Sequence, residues 1–108
     1  MRKLHIALAT HDLPATIDDY SVRLGTPPCS VVHGEYALWR TASLNLSVRH
    51  DPDCAPGSLR HLGWEDSAAT VFSEETDVNG ITWECFSAAQ QAEEINTLWP
   101  DANYRPED

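Results

Sequence analysis

Alternating apolar and polar positions open the chain and predict a β-strand over residues 3–9. Leu4, Ile6 and Leu8 occupy one side of this strand, because successive side chains alternate between the two faces of a strand. His5 therefore lies on the opposite side, away from the apolar face.

The next segment changes to a helical spacing and carries clear start and stop signals. Asp12 is a favourable N-cap, Pro14 is tolerated in the first turn, and Gly25 stands where a C-terminal glycine belongs. The apolar residues of this segment form one stripe: Leu13, Ile17, Tyr20 and Leu24. We expect the stripe to pack on the apolar face of the first strand, which leaves His5 on the far side of the sheet.

Three further strands are predicted before the middle of the chain, over Cys29–His33, Glu35–Arg40 and Ser43–His50. The third of them alternates between two faces, with Leu44, Leu46 and Val48 on one and Asn45, Ser47 and Arg49 on the other. The first half of the chain therefore predicts the element order β-α-β-β-β.

The second half begins with a strand that resembles the first one. A polar linker with two prolines and a glycine, Asp51–Ser58, leads into the strand Leu59–Glu65. His61 in this strand takes the place that His5 takes in the first. Two residues of the strand face the core: Leu62 and Trp64. We therefore expect His61 on the open face.

A β-hairpin follows this strand. Its two strands are predicted over Ala69–Glu74 and Ile81–Phe86, on either side of the turn Asp77–Gly80. The Asn-Gly pair in this turn favours positive φ, which tight hairpins require. Glu84 lies in the second strand of the hairpin and alternates with the apolar residues beside it.

A last helix is predicted after the hairpin. Ser87 and Gln90 form a capping box at its start, and Pro100 ends it. The helix has one apolar stripe: Ala88, Ala92, Ile95 and Trp99. The polar segment Asp101–Asp108 is expected to be a mobile tail.

Composition narrows the classes of partner and compartment. With 108 residues the chain is long enough for one domain with one core. Its net charge of -10 argues against nucleic acid and anionic membranes as partners. The three cysteines are an odd number without a CxxC spacing, so we expect no disulfide framework and a cytoplasmic location. No signal peptide and no membrane-spanning segment is indicated.

The strand parity predicts a polar constellation on the open face of the sheet, made by His5, Asn45, His61 and Glu84. Two imidazoles and one carboxylate form the facial triad typical of Fe(II) sites, and they also suit Mn, Ni, Co or Zn. The simpler alternative is that both histidines are packed or surface residues and that Glu84 is a solvated strand residue. Asn45 would fill the structural place of a fourth ligand or hydrogen-bond a substrate.

Three further residues are candidates for a substrate pocket beside this constellation: Ser47, Arg49 and Trp39. Arg49 is the best candidate to bind an anionic substrate, because a guanidinium forms bidentate contacts with a carboxylate. The alternative for Arg49 is a surface ion pair.

Several segments together resemble a known superfamily. They are Leu4–Leu8, Tyr20–Gly25, Tyr36–Trp39, Leu44–Leu46, His61–Gly63 and Asp77–Glu84. The chain resembles the glyoxalase / bleomycin-resistance / extradiol dioxygenase superfamily, which has the vicinal oxygen chelate fold. Within the superfamily, the run from Gly25 to Gly63 is most similar to the branch of carbon–arsenic lyases and cadmium-induced proteins. The resemblance implies that His5, His61 and Glu84 are metal ligands.

The chain also departs from this superfamily. The second module is shortened to about a dozen residues between His61–Gly63 and the turn at Asp77. The adjacent thiols that bind arsenic in the lyase branch have no counterpart as a pair. Asn45 stands where glyoxalase I has a further glutamate ligand, which favours a site with three protein ligands.

The sequence thus predicts an α+β fold with a curved mixed sheet and a concave site. A βαβββ module over residues 3–50 is joined by the linker 51–58 to a shortened second module over 59–99, and a tail follows over 100–108. The function expected is that of a small metal-dependent lyase or dioxygenase that acts on a small molecule. The alternatives are a metal-free protein that binds or sequesters a ligand and a dimeric interaction module. A homodimer is expected, because the shortened module leaves a sheet edge and the last helix without cover.

Overall fold

The computed structural model describes residues 1–107 as seven β-strands, two α-helices and a short 3-10 turn. The elements in chain order are β1 Arg2–Thr10, α1 Leu13–Leu24, β2 Ser30–Val32, β3 Tyr36–Arg40, β4 Leu44–His50, β5 Leu59–Asp66, β6 Ser73–Thr76, β7 Thr82–Phe86, α2 Ala88–Leu98 and the 3-10 turn Pro100–Ala102. The α+β class is confirmed, and the first five elements follow the predicted order of strand, helix and three strands.

All seven strands belong to one mixed sheet with the order β2-β3-β4-β1-β5-β7-β6. The two strands that carry histidines, β1 and β5, are antiparallel neighbours near its centre, and β1 pairs in parallel with β4 on its other side. β7 pairs in parallel with β5, so that Glu84 lies beside Gly63. This order brings the two halves of the chain together at the strands that carry His5 and His61.

Helix α1 forms and packs as the sequence predicts. The Asp12 side chain accepts a hydrogen bond from the Ala15 backbone N–H, and Gly25 ends the helix with a φ of 72°. The helix packs on the apolar face of β1, β3 and β4, where Leu13, Trp39 and Val48 are buried. His5 lies on the other face, as its parity predicts.

Helix α2 lies on the face opposite α1, and the expectation of an open site face is therefore wrong. Its capping box between Ser87 and Gln90 forms as predicted. Ala92 and Ile95 of its apolar stripe are buried with Tyr36 and Leu38 of β3. Because β3 presents buried apolar side chains on both faces, the sheet needs a helix on each side.

Two other predictions need correction at the C-terminal side of the sheet. The strand predicted over Ala69–Glu74 is instead β6 at Ser73–Thr76, because β6 can form ladder hydrogen bonds only opposite β7, which starts at Thr82.

The C-terminal tail, predicted to be mobile, is instead attached to the rest of the chain. Tyr104 is buried against the sheet, and its backbone N–H and C=O both form hydrogen bonds with the Asn96 side chain. Asp108, the last residue of the predicted tail, lies outside the described residues.

Neither helix in residues 1–107 has the length and apolar character needed to cross a membrane.

Candidate metal centre

Three potential metal ligands converge at the centre of the sheet. His5 Nε2 lies 3.0 Å from His61 Nε2, which lies 3.0 Å from Glu84 Oε1. The third side of this triangle, from His5 Nε2 to Glu84 Oε1, measures 4.0 Å. His5 is buried, and His61 and Glu84 retain partial exposure on the side of a cavity. The sequence predicted these three residues as a group, and the structure brings them together.

The strand register explains why these side chains meet. His5 pairs with Gly63 across β1 and β5, and Gly63 pairs with Glu84 across β5 and β7. A Cβ atom on Gly63 would lie 2.3 Å from the Glu84 backbone oxygen, so only glycine permits this approach of β7 to β5. The missing side chain at Gly63 therefore leaves the space in which the histidines and Glu84 meet.

Asn45 fixes the orientation and the tautomer of His5. Its Oδ1 lies 2.8 Å from His5 Nδ1, and its backbone oxygen lies 3.2 Å from the same nitrogen. Both oxygens only accept hydrogen bonds, so the proton of a neutral His5 ring lies on Nδ1. The lone pair of Nε2 then points to His61 and Glu84, as a metal ligand requires.

The orientation of the Asn45 amide is itself determined by a buried network. Asn45 Nδ2 donates to Glu65 Oε1 and to Gln91 Oε1, each at 2.8 Å. Arg40 holds the Glu65 carboxylate with two hydrogen bonds, at 2.8 and 2.9 Å. A carboxylate cannot donate, so Nδ2 faces Glu65 and Oδ1 faces His5. A chain of contacts thus leads from Arg40 to the protonated Nδ1 of His5, which leaves Nε2 unprotonated.

Burial and hydrogen bonds shift the acid–base properties around the site. Burial lowers the pKa of His5 below its ordinary value of 6.5, and the hydrogen bond with Asn45 offsets this only in part, which favours the neutral imidazole. Burial acts to raise the pKa of Glu65, but hydrogen bonds from Arg40 and Asn45 outweigh it, so this pKa lies below its usual value. Loss of solvent and the nearby Glu84 carboxylate raise the pKa of Glu94.

The three ligands fit a divalent transition metal. Bonds of about 2.0–2.2 Å place ligand atoms at right angles roughly 3 Å apart, and two of the observed separations are 3.0 Å. The third separation, 4.0 Å between His5 Nε2 and Glu84 Oε1, is wider than this, so these two atoms would have to approach each other to complete a facial set. Two nitrogens and one oxygen form the donor set of Fe(II), and also suit Mn, Ni, Co and Zn.

A cavity of about 140 Å³ adjoins these ligands, between the sheet and α2. Its walls combine aromatic and aliphatic side chains with two arginines: Tyr36, Phe72, Phe86, Ile95, Leu98, Trp99, Arg49 and Arg60. Phe86 packs edge-on against the His5 ring, with 4.9 Å between the ring centroids. The cavity therefore offers a partly apolar space that ends at the three ligands.

The four residues predicted to bind substrate have different positions in the structure. Ser47 and Arg49 line the cavity. Asn45 is fully buried and contacts His5, Glu65 and Gln91. The assignment of Trp39 to the pocket is wrong, because its side chain lies in the α1 core on the opposite face, where its indole N–H donates to the Thr26 carbonyl. Its strand parity, shared with Ala37, was the available signal.

Sequence reasoning missed several polar residues in and around the site, among them Arg40, Arg60, Glu65, Gln91 and Glu94. The alternation of β5 predicts Glu65 on the face of His61, but its hydrogen bonds with Arg40 and Asn45 depend on how the strands pair. Gln91 follows the capping box by one residue on the buried side of α2, and its role depends on which face the helix covers. Arg60 occupies the site side through an irregularity of the strand pairing, which residue spacing does not reveal.

No family model matches the chain, and no curated sequence matches it. The resemblance to the glyoxalase superfamily stays a prediction, and the case for a function rests on the geometry of the site.

Proposed function

We propose that this chain is a small metal-dependent enzyme of the lyase or dioxygenase type found in the glyoxalase superfamily. His5, His61 and Glu84 would hold a divalent metal, with Fe(II) as the first candidate and Mn, Ni, Co and Zn as alternatives. The observation that carries the proposal is the convergence of two imidazole nitrogens and one carboxylate oxygen, with the Nε2 lone pair of His5 fixed by Asn45.

A metal bound by three protein ligands keeps positions for two substrate oxygens and polarises the substrate bound there. The residues of the chain supply the surroundings. Phe86 and Trp99 line the cavity and make part of its wall apolar. The Arg40–Glu65–Asn45 chain holds His5 in one tautomer, so that the ligand is ready before a metal or substrate binds.

A metal-free binding protein is the second candidate, and one observation favours it. The close contacts among His5, His61 and Glu84 need no ion, because a proton on His61 Nε2 can be donated either to His5 Nε2 or to Glu84 Oε1. The partly apolar cavity could then hold a small molecule against these residues. This candidate predicts ligand binding that chelators do not affect.

We also propose a homodimer, but through a different surface from the one that the sequence predicts. The stripe of α2 cannot supply the interface, because Ala92 and Ile95 are buried within the chain itself. Helix α1 packs on β1, β3 and β4, whereas apolar residues of β5 and β7 on that same face are only half-buried: Leu62, Trp64, Trp83 and Cys85. Packing of this face against the same face of a second copy would remove apolar surface from water.

The experiment that tests the enzyme proposal uses Co(II), whose visible absorption reports its ligands. We expect chelator-treated protein to bind one Co(II) per chain, and the absorption to change when catechol, a ligand with vicinal oxygens, is added. His61→Ala should abolish both results, whereas His33→Ala, which changes a histidine in the turn before β3, should preserve both. No Co(II) binding, or a spectrum that catechol leaves unchanged, would contradict the proposal.

A further inference from the structure

An irregularity in the pairing of β1 and β5 brings Arg60 to the cavity. Ala7 pairs with His61, but Leu8 pairs with Leu59, so Arg60 is an extra residue in β5. A β-bulge of this kind turns the side chain of the extra residue away from the regular alternation, and bulges are frequent beside active sites. Arg60 consequently lines the same cavity as its neighbour His61.

Arg49 reaches the cavity from the regular alternation of β4. It pairs with Tyr36 across β3 and β4 and lies on the face of Asn45 and Ser47. Its guanidinium carbon lies 5.3 Å from the centroid of the Trp99 ring, which steadies the side chain by a cation–π contact. Two strands on either side of β1 thus each direct one arginine to the same space.

The two guanidiniums lack an ion-pair partner in residues 1–107. Neither has a carboxylate oxygen within 4.0 Å, whereas Arg40 is paired with Glu65 and Arg23 with Asp19. Among the described residues that line the cavity, the carboxylates are Glu84 and Glu94. With a divalent ion on Glu84, the cavity has a net positive charge in a chain whose net charge is -10.

The size and the walls of the cavity limit what could bind to this charge. Its volume of about 140 Å³ is close to that of cavities that accept a benzene-sized molecule. Phe72 and Phe86 stack with 5.7 Å between ring centroids. Trp99, at the C-terminal end of α2, also lines the cavity. The lining is more polar than apolar overall, so these rings offer a small apolar surface beside charged groups, which suits a compact ligand with both characters.

We propose that the cavity takes a small organic carboxylate with a compact apolar body, whose carboxylate is bound by Arg49 and Arg60. The inference rests on the proposed metal site for the orientation of the ligand, because the other end of the ligand faces His5, His61 and Glu84. Guanidinium–carboxylate hydrogen bonds are among the strongest that proteins form, and a partly apolar cavity strengthens them.

Isothermal titration calorimetry with benzoate and with benzamide, its neutral isostere, tests this inference on the full chain, both Co(II)-loaded and chelator-treated. Benzoate should bind at least about tenfold more tightly than benzamide, and added NaCl should weaken only the benzoate. Arg49→Gln and Arg60→Gln should each weaken benzoate binding by about tenfold or more. The corresponding lysine variants, which keep the charge, should lose less, and Arg23→Gln on α1 should lose nothing.

Equal affinity for benzoate and benzamide, no benzoate binding, or tighter binding of inorganic phosphate would overturn the assignment of a carboxylate ligand. Unchanged benzoate binding in both glutamine variants would overturn the role of the arginines.

Metal analysis of the same samples separates the failure of this inference from the failure of the proposed metal-dependent function. Protein that holds metal but does not distinguish the two ligands contradicts only this inference, and protein that binds benzoate without ever holding metal contradicts only the metal-dependent function.

Discussion

At the scale of single residues, Asn45 determines whether His5 can act as a ligand. Both ends of its amide are occupied, with Oδ1 on His5 and Nδ2 between Glu65 and Gln91. Full burial leaves no water to replace any of these partners. Such a fully satisfied network stabilises one arrangement of its members, and the loss of one member leaves the others unpaired.

We therefore expect Asn45→Ala to weaken metal binding by about 10–100-fold, the usual effect of losing a hydrogen-bond partner of a ligand. It should also lower the free energy of unfolding by about 1–3 kcal/mol, because Glu65 and Gln91 lose a buried partner. Competition with a chromophoric chelator measures the first effect and chemical denaturation the second. Ser47→Ala, two residues away on the same face, is the control and should leave metal affinity unchanged. Equal metal affinity in wild type and Asn45→Ala would disprove the role of Asn45.

Gly63 is required by the approach of two strands. Gly63→Ala places a methyl group 2.3 Å from the Glu84 backbone oxygen, so β7 must move away from β5. We expect a loss of about 1–3 kcal/mol in the free energy of unfolding and weaker metal binding, because Glu84 moves with β7. Gly34→Ala is the matched control, since its φ of 73° also disfavours alanine while open space surrounds it. The control should lower stability and keep metal affinity, and the same metal affinity for both variants would contradict this expectation.

Residue parity carried most of the information that the sequence held about the site. His5, His61 and Glu84 share a face because side chains alternate strictly along each strand and the apolar neighbours fix the register. The prediction for Trp39 was wrong although strand alternation opposed it, because Trp39 shares the face of Ala37, which packs against α1. Arg60 could not be placed, because its position depends on a bulge that arises only when β1 and β5 pair.

At the scale of elements, the turn between β6 and β7 presents Glu84 to the site. The Asp77 carboxylate accepts hydrogen bonds from the Trp83 indole N–H and from the backbone N–H groups of Asn79 and Ile81. The hydrogen bond from Trp83, followed by that from Ile81, lowers the pKa of Asp77 below its ordinary value of 3.8. This carboxylate therefore connects the turn to the strand that carries Glu84.

The lowered pKa predicts a pH dependence of stability. A carboxylate with a depressed pKa in the folded state stabilises the fold fully above its unfolded pKa, and the stabilisation disappears as pH falls through the folded value. The difference in unfolding free energy between wild type and Asp77→Asn should thus be constant from about pH 5 to 7 and shrink below about pH 4. Denaturant titrations at several pH values measure it. Trp83→Phe, which removes the first donor, should reduce the pH dependence, and a difference that grows on acidification would refute the prediction.

The elements themselves were largely predictable, because their signals are local. The caps of both helices and the Asp77–Gly80 turn depend on neighbouring residues only. The sequence could not predict which face of the sheet α2 covers, because an apolar helical stripe packs equally well on either side of a sheet. The run of apolar residues Tyr36–Trp39 was the one hint, since a strand with both faces apolar requires cover on both sides.

At the scale of the molecule, two surfaces of the sheet could bind a second copy of the chain: an edge strand, and the apolar face of β5 and β7. All four residues of β6, one of the two edge strands, are exposed, and Glu74 and Glu75 among them discourage pairing at this edge. The apolar face formed by β5 and β7 lacks such charges on its inner positions. Arg2 lies over the Trp64 ring there, with 4.3 Å from its guanidinium carbon to the ring centroid.

We accordingly expect a homodimer through this face rather than through the edge. Light scattering coupled to size-exclusion chromatography should give a dimeric mass at micromolar concentration. Trp64→Glu, which introduces a charge into the face, should give a monomer, whereas Val78→Glu at the exposed turn should stay dimeric. A monomeric wild type, or a dimer in Trp64→Glu, would count against this interface.

The metal content of the protein purified without a histidine tag tests the proposed centre most directly. We predict about one divalent ion per chain in the wild type by elemental analysis, with three protein ligands holding it. His5→Ala, His61→Ala and Glu84→Ala should each retain far less metal, while His11→Ala, whose ring contacts the Cys54 carbonyl outside the cluster, should match the wild type. A sub-stoichiometric metal content that the three ligand variants leave unchanged would contradict the metal centre.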